Sequence, residues 1–274
     1  MPDVVAGRHV VVSRGGRVAL RDSDFAVPAG AITAIIGPNG SGKSTLLHAI
    51  AGLLPIDGGA LSVLGATPLL SQSQIAYVLQ YTTPTRGTPL TVEEAVMMGR
   101  YPSLGLLRRP SSKDRERVRT AMERLGITDL SRRHLTELSG GQRQRVYVAQ
   151  GIAQDHTLLL LDEPLTGLDI TSARAIDAII HEEPTHGCSV ILTTHDLEEA
   201  RAADHVILTG GRVIASGPPD VVLTSAHLAE AYGLGALHDR DDSAPLLPTE
   251  HHEHHDHPDQ PTHGARDDGH AHGH

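Results

Sequence analysis

GPNGSGKST, residues 37–45, is the stretch of this 274-residue chain that decides its fold. The apolar run AITAII at 31–36 precedes it, and a segment with apolar residues at helical spacing follows it. The order predicts a buried strand, a Gly-rich turn and a helix. In that setting the pattern G-x-x-x-x-G-K-[ST] is a phosphate-binding loop, because glycines let successive backbone N–H groups turn toward phosphate oxygens at a helix N-terminus. We therefore predict an α/β nucleotide-binding protein.

The loop supplies the first candidate nucleotide-binding residues. Lys43 is predicted to reach the β and γ phosphates, and the Ser44 hydroxyl is predicted to ligate magnesium. The whole predicted set is Gly37, Pro38, Asn39, Gly40, Ser41, Gly42, Lys43, Ser44 and Thr45.

Two later apolar runs also end in polar residues: TLLLLDEP at 157–164 and CSVILTTHD at 188–196. The carboxyl ends of parallel strands meet at one sheet edge, where ligands bind. Asp162 is thus expected to hold Mg²⁺ near the phosphate loop, and Glu163 to orient or deprotonate the attacking water.

The remaining segments predict how the chain is divided. HVVV and FAV near the N-terminus indicate a β subdomain, expected to be antiparallel, and HVILTGGRVIASG after residue 196 indicates a hairpin. TVEEAVMMGR and SSKDRERVRTAMERLGI have amphipathic patterns and predict a helical subdomain inserted at about 85–150. PDVVLTSAHLAEAYG predicts a closing helix for a domain that spans 1–235. Residues 236–274, rich in His, Asp, Pro and Gly, are predicted to be a disordered tail.

Composition narrows the function classes. With a single cysteine the chain cannot form an intramolecular disulfide, which fits a reducing compartment. From Asp239 onward nine carboxylates against two arginines give a charge of −7, which leaves about −3 of the total −10 for the body. The body has no basic patch, so we expect no nucleic-acid partner. No apolar run is long enough for a membrane helix, and the first residues lack the apolar stretch of a signal peptide.

LSGGQRQRV, residues 138–146, is a second Gly-rich turn at the start of a predicted helix. It has no lysine and follows no strand, yet it offers another set of N–H groups to a phosphate. The sequence here resembles the ATP-binding subunits of ABC transporters, whose signature motif is Leu138-Ser139-Gly140-Gly141-Gln142.

The resemblance covers about residues 6–235 and implies the ABC ATPase fold, a P-loop NTPase with a mixed-sheet core. It also implies ATP and Mg²⁺ as ligands. The roles it implies are Walker A for Lys43, Ser44 and Thr45, magnesium and water sensing for Gln80, Walker B for Asp162, catalysis for Glu163, the D-loop for Asp169 and a γ-phosphate switch for His195.

Two features of the nucleotide site follow from the resemblance. Two copies are expected to bind head to tail, with ATP between the Lys43 loop of one and the Ser139-Gly140-Gly141-Gln142 loop of the other. An aromatic ring usually stacks on adenine in this family, whereas this chain has Arg14 at that position. Arg14 is expected either to stack its guanidinium on the base or to be an exposed loop residue with no contact.

Because the chain lacks a membrane span, the resemblance implies a detached ATPase at the cytoplasmic face of a membrane, bound to a separate permease. An extracytoplasmic metal-binding protein is a further expected partner. Val96, Met97, Met98 and Tyr101 are candidates for the permease-docking surface, or they pack inside the helical subdomain.

The cargo is predicted from two stretches. MMGRYPSLGLLRRPSSKDRERV resembles the ATPases of zinc and manganese importers, with siderophore importers more distant. Imidazole suits Zn²⁺ better than Mn²⁺, so the histidines near the C-terminus favour zinc. They are His251, His252, His254, His255, His257, His263, His270, His272 and His274.

Other interpretations remain at this point. The tail is either a metal-binding segment or an acidic extension with no metal role. Manganese or iron-siderophore import, or metal export, are alternatives for the transporter. A soluble ABC-type ATPase acting on DNA or ribosomes is a distant one, because the chain has one motif set, no heptad run and no basic patch.

Overall fold

The structure is a computed structural model that describes residues 3–79, 90–104 and 109–233. The strands in these ranges are β1 Asp3–Arg14, β2 Arg17–Pro28, β3 Ile32–Ile36, β4 Gly58–Val63, β5 Ile75–Val78, β6 Leu158–Asp162, β7 Ser189–Thr194, β8 His205–Thr209 and β9 Val213–Gly217. The α-helices are α1 Lys43–Ile50, α2 Pro68–Ser71, α3 Val92–Met98, α4 Tyr101–Leu104, α5 Ser112–Arg124, α6 Gly140–Ile152, α7 Ile170–Glu182, α8 Leu197–Ala202, α9 Pro219–Val222 and α10 Ser225–Tyr232.

A six-stranded sheet in the order β5-β6-β7-β3-β8-β9 forms the centre of the fold. All neighbours are parallel except β8 and β9, which form the antiparallel hairpin predicted from the sequence. The strands β3, β6 and β7 are buried on both faces, which explains their continuous apolar runs. The predicted mixed α/β sheet is thereby confirmed.

The two faces of this sheet pack against different layers. Ile35, Leu160 and Ile191 point into a core shared with α1 and the N-terminal strands. Their neighbours in sequence, such as Ile36 and Leu161, point into a second core with α5, α6 and α7. Because side chains alternate between the two faces along each strand, the same sheet packs against two separate layers.

The N-terminal sheet has the order β2-β1-β4 and is antiparallel, as predicted. Its first two strands are much longer than the short runs that the sequence suggested, and β1 and β2 meet at Gly15-Gly16, whose φ angles of 59° and 77° suit a two-residue hairpin turn. The strand β4 was not predicted, because it begins with two glycines and its first half is exposed.

The predicted helical region contains α3, α4 and α5, and α6 packs against α3 and α5. Arg100 holds this region to the end of α6. Its side chain is 5% exposed and donates to the Asp114 carboxylate at 3.0 Å, to the Ala153 carbonyl at 2.8 Å and to the Asp155 carboxylate at 2.9 Å. Asp114 also closes a capping box with Ser111 at the start of α5.

The predicted closing helix is two short helices. After α9 the chain turns at Leu223, and the Thr224 hydroxyl accepts the His227 N–H at 3.3 Å to cap α10. A threonine that can cap a new helix therefore separates them. Residue 235, where we placed the domain boundary, and the His-rich tail lie outside the described residues. Within the described ranges, no helix has the length and apolarity to cross a bilayer.

Candidate active site

The phosphate loop joins β3 to α1 as predicted, and it is fixed by close backbone packing. A Cβ at Gly37 would lie 2.2 Å from the Thr209 carbonyl oxygen, and one at Gly42 would lie 2.8 Å from the Ala19 carbonyl oxygen. The buried Ser41 hydroxyl lies 2.7 Å from the Thr209 hydroxyl, so β8 supports the loop from behind. Glycine is required at these two positions because a side chain would collide with neighbouring backbone, and because the turn needs its backbone conformation.

Lys43 begins α1 and lies under the loop. Its ammonium group donates to the carbonyl oxygens of Gly37 at 2.8 Å and Pro38 at 3.2 Å, and the residue is 6% exposed. Burial lowers the pKa of Lys43, while the charges of Glu163 and Asp162 oppose that shift. The first turn of α1 has no acidic residue, so the positive end of the helix dipole adds to the charge of Lys43 beside the loop.

Asp162 and Glu163 lie at the carboxyl end of β6, next to this loop. The Ser44 hydroxyl donates to Asp162 Oδ1 at 3.1 Å, which places the two predicted magnesium ligands together. Asp162 is 5% exposed and Glu163 has a positive φ of 46°, an unusual backbone state for a non-glycine residue. Held in that turn, the Glu163 side chain projects toward the cleft beside the loop.

Thr193 of β7 fixes both carboxylate residues, and the sequence analysis did not identify it. Its hydroxyl donates to Asp162 Oδ1 at 2.6 Å and accepts the Glu163 N–H at 2.9 Å, and the residue is fully buried. Two consecutive threonines at the end of a buried strand were the available sequence signal, because a buried hydroxyl needs a hydrogen-bond partner.

The donor set suits Mg²⁺. Ser44 Oγ and the Asp162 carboxylate are hard oxygen ligands on adjacent elements beside a phosphate loop. Mg²⁺ is typically held by one or two protein oxygens together with water and substrate phosphates, and it then neutralises charge on those phosphates. Gln80, the other predicted metal-sensing residue, lies outside the described residues.

His195 follows β7 and faces Glu163, with its Nδ1 3.8 Å from Glu163 Oε2. Its side chain is half-exposed, whereas that of Glu163 is mostly buried. Both border a cleft of about 360 Å³ whose other lining residues are Gly37, Pro38, Asn39 and Tyr232. Tyr232, from the end of α10, was also missed, because nothing local connects a C-terminal helix with this edge of the sheet.

Arg14 lies at the end of β1 and borders a second cleft on the other side of the loop, of about 340 Å³. The residues that share this cleft are Ala19, Asn39, Gly40, Gly42, Lys43, Ser44, Thr45 and Glu163. The structure thus brings Arg14 to the phosphate loop.

The signature loop forms the start of α6. The Ser139 hydroxyl accepts the Gln142 N–H at 3.2 Å, and the Gln142 side chain accepts the Ser139 N–H at 3.0 Å, so the two residues form a capping box. The first turn of α6 has no acidic residue. None of the residues 138–142 borders either cleft at the phosphate loop.

Asp169 caps α7 and lies against the signature loop. Its carboxylate accepts from the Ser172 N–H at 2.9 Å and from the Ser172 hydroxyl at 2.8 Å, and these bonds hold the pKa of Asp169 below its usual range. A Cβ at Gly141 would meet Asp169 Oδ2 at 2.4 Å. Asp169 and Gly141, which the sequence predicts to serve the nucleotide site, are therefore packed together within one chain.

Comparison with known proteins agrees with this arrangement. Residues 20–166 match the family described as ABC transporter. The chain is 39% identical over 254 residues to the chelated iron transport system membrane protein YfeB of Yersinia pestis, covering 88% of this chain and 86% of that protein. It is 40% identical over 215 residues to the zinc transport system ATP-binding protein TroB of Treponema pallidum, covering 78% and 81%. It is 37% identical over 226 residues to the manganese transport system ATP-binding protein MntB of Bacillus subtilis, covering 82% and 90%.

Solved structures give the same result for the fold. The ADP conformation of MJ1267, an ATP-binding cassette of an ABC transporter, superposes with a TM-score of 0.72 at 25% identity, covering 84% of this chain and 98% of that one. The family match extends from β2 to beyond Asp162 and Glu163, and these three relatives each align with more than three quarters of the chain. The chain accordingly belongs to the ABC transporter family, in which it is an ATP-binding subunit with ATPase activity.

Proposed function

We propose that this ATPase hydrolyses ATP between two copies of itself and thereby drives import of a divalent metal ion, with zinc favoured, through a separate membrane permease. One observation carries the two-copy arrangement: the chain has two surfaces suited to phosphate, and they do not border the same cleft. The metal cargo is supported by the relatives that are 37–40% identical and named for zinc, manganese or chelated iron transport.

The two-copy arrangement follows from the incomplete site. Lys43, Ser44 and Asp162 provide a cation and metal ligands on one surface, while the start of α6 at Ser139 directs N–H groups from another. A second copy turned head to tail would place its Ser139-Gly140-Gly141-Gln142 loop over the γ-phosphate held by the first. Bound ATP then holds the two copies together, and its hydrolysis removes the γ-phosphate that both copies contact.

Within each site the residues have separate roles. Lys43 stabilises charge on the β and γ phosphates, and Ser44 with Asp162 holds Mg²⁺. Glu163 positions or deprotonates the attacking water, and His195 contacts the γ-phosphate across the cleft. Gln80 senses the bound metal and Asp169 senses the partner copy, and both act on the same catalytic centre. Catalysis is therefore mainly positioning and charge stabilisation.

Replacing Glu163 with Gln tests these roles, because the amide keeps the shape of the side chain and cannot accept the proton. We expect ATP binding to persist and hydrolysis to fall by about 10²–10⁴-fold, the usual share of a general base. Size-exclusion chromatography with ATP and Mg²⁺ should then show a stable dimer. Glu198→Gln, a surface change on α8, is the matched control and should leave turnover unchanged. Normal turnover by Glu163→Gln would refute the assignment.

Arg14 is proposed to hold adenine. Its guanidinium is planar and can stack on a base, and its cleft also contains Lys43 and Ser44. Arg14→Ala should raise the KM for ATP more than it lowers kcat, and Arg14→Tyr should restore the affinity. An unchanged KM in Arg14→Ala would leave Arg14 as a surface residue.

Zinc is favoured over the other cargo ions because of the nine histidines after residue 250. Manganese and chelated iron stay as alternative cargoes, since relatives of similar identity are named for them. The comparison that decides is ATPase stimulation of the reconstituted transporter by Zn²⁺, Mn²⁺ or an iron chelate. Stimulation by Mn²⁺ alone would contradict the zinc proposal.

The tail itself is proposed to bind Zn²⁺. Calorimetric titration of the full chain should show tail sites that disappear when all nine histidines are changed to Asn. Because imidazole protonates near pH 6.5, this binding should weaken as pH falls through about 6. Equal zinc stoichiometry in both proteins would refute the tail proposal.

The permease is proposed to dock on the helical region, which places the ATPase at the cytoplasmic face of the membrane. Met98 and Tyr101 are 45% and 51% exposed, so they are the docking candidates that remain. Val96 is buried and Met97 packs against the hydrophobic core, so these two residues stabilise the interior of the domain. An extracytoplasmic metal-binding protein would complete the importer.

A further inference from the structure

The edge of the sheet opposite the ATP site has its own cluster of reactive side chains. His156 lies between α6 and β6, Glu183 directly follows α7, and Cys188 directly precedes β7. The strands β6 and β7 begin here and end at the catalytic carboxylates, so the cluster is separated from the ATP site by the length of the sheet. The motifs of the family do not include these three residues.

The cluster has converging donor atoms of three kinds. One ligand atom from each of His156, Glu183 and Cys188 lies within 4.8 Å of the other two. His156 Nε2 is 3.0 Å from Glu183 Oε2, and these side chains are only 6% and 3% exposed. Within the described ranges, this is the one group of three His, Cys, Asp or Glu residues that meets such a distance limit.

Surrounding hydrogen bonds orient the donors. His156 Nδ1 lies 3.2 Å from the Gln154 carbonyl oxygen, and a proton held there leaves Nε2 as the ligand atom. Arg124 donates to Glu183 Oε1 at 2.8 Å, which leaves Oε2 facing His156. This is the arrangement of outer contacts that usually supports metal-binding histidines and carboxylates.

We propose that His156 Nε2, Glu183 Oε2 and Cys188 Sγ bind a thiophilic divalent cation, represented by Zn²⁺, with water as a fourth ligand. Nitrogen, sulfur and oxygen from three residues form a set that Zn²⁺ accepts. Zinc bond lengths of about 2.0–2.3 Å place tetrahedral donors ~3.3–3.6 Å apart. Donors that now lie up to 4.8 Å apart therefore need to approach by up to about 1.5 Å, and the His156 and Glu183 atoms at 3.0 Å need to separate slightly.

Charge also fits a dipositive ion. A thiolate at Cys188 and the carboxylate of Glu183 together carry two negative charges, which match those of a dipositive ion, while the charge of Arg124 beside Glu183 is balanced by Glu182. In the metal-free chain Nε2 and Oε2 lie 3.0 Å apart, within hydrogen-bond distance, and a cation bound to both atoms would replace that contact.

Cobalt spectroscopy of the full-length, reduced protein tests the proposal. Co²⁺ bound here should give the visible d–d bands of a four-coordinate ion and a near-ultraviolet thiolate-to-cobalt charge-transfer band, and added Zn²⁺ should abolish both. The charge-transfer band can come only from Cys188, because the chain has one cysteine. Histidines of the tail cannot produce it, so tail binding and binding at this cluster are distinguished.

Variants identify the other ligands. Cys188→Ser should lose the charge-transfer band, and His156→Gln should weaken Co²⁺ affinity by at least about tenfold, as loss of a ligand must cost no less than loss of an outer partner. His181→Gln, on the exposed side of α7, is the control and should bind as the wild type does. Circular dichroism confirms that each variant is folded. Absence of a charge-transfer band in the wild type, or a band unaffected by His156→Gln, would overturn the proposal.

Discussion

Replacing Thr193 with Val should damage both the stability and the activity of this ATPase through one hydroxyl group. The substitution keeps the branched shape of a side chain that is fully buried in β7. It removes the donor to Asp162 Oδ1 at 2.6 Å and the acceptor of the Glu163 N–H at 2.9 Å.

The expected free-energy change follows from those two bonds. A hydrogen bond to a charged group contributes about 1.5–3 kcal/mol, and a buried N–H that loses its acceptor costs about 1–3 kcal/mol. Together they predict a loss of about 2.5–6 kcal/mol in the free energy of unfolding. Domains of this kind have about 5–15 kcal/mol available, so most of the variant should remain folded.

Urea denaturation measures the stability loss, and steady-state ATP hydrolysis measures the activity. A displacement of about 1 Å in a catalytic group can cost about 10²-fold in rate, so kcat should fall by about that factor once Asp162 and Glu163 lose their common support. ATP binding should change less, because Lys43 and its loop do not contact Thr193.

Thr193→Ser is the matched control, because it keeps the hydroxyl and removes only a methyl group. Its expected cost is about 1 kcal/mol, with activity within a few-fold of wild type. If Thr193→Val hydrolysed ATP at the wild-type rate and lost under about 1 kcal/mol of stability, the reasoning from these two hydrogen bonds would be wrong.

Two further predictions concern other parts of the fold. Hydrogen bonds from Ser111, with Arg100 as a further partner, lower the pKa of Asp114 from 3.8 to about 2. The carboxylate therefore stabilises the fold above pH 3.8 and loses that effect as pH falls toward 2. Thermal unfolding of Asp114→Asn should depend less on pH in that window than wild type does, and equal slopes would contradict this. Gly141→Ala would force a Cβ to 2.4 Å from Asp169 Oδ2, so urea denaturation should show a loss of about 1–3 kcal/mol, and an unchanged midpoint would contradict the contact.

The parts of the fold that the sequence predicts well are those with local signals. GPNGSGKST lies between a strand and a helix as its pattern requires, and the apolar runs that became β6 and β7 are buried on both faces. In contrast, β4 and β5 are short, and their place depends on distant partners: β4 pairs with β1, and β5 pairs with β6. No pattern within six residues contains that information.

The residues that were missed have the same explanation. Thr193 reaches Asp162 because β6 and β7 pair in a register that places these two residues side by side. Register between two parallel strands depends on the whole sheet, so neither strand reveals it alone. Tyr232 reaches the cleft of Glu163 and His195 because α10 follows the β8–β9 hairpin and packs back toward the phosphate loop. Both contacts are products of topology.

The position of Tyr232 has a consequence for everything that follows it in the chain. Tyr232 borders the cleft of Glu163 and His195, and Gly233 ends α10 beside it. Residues after 233 are therefore covalently attached at the rim of this cleft. Attachment replaces a bimolecular encounter by an intramolecular one, with effective concentrations of order millimolar for short flexible connections. A group carried by these residues would thus meet Glu163 at an effective concentration set by the number of residues between them.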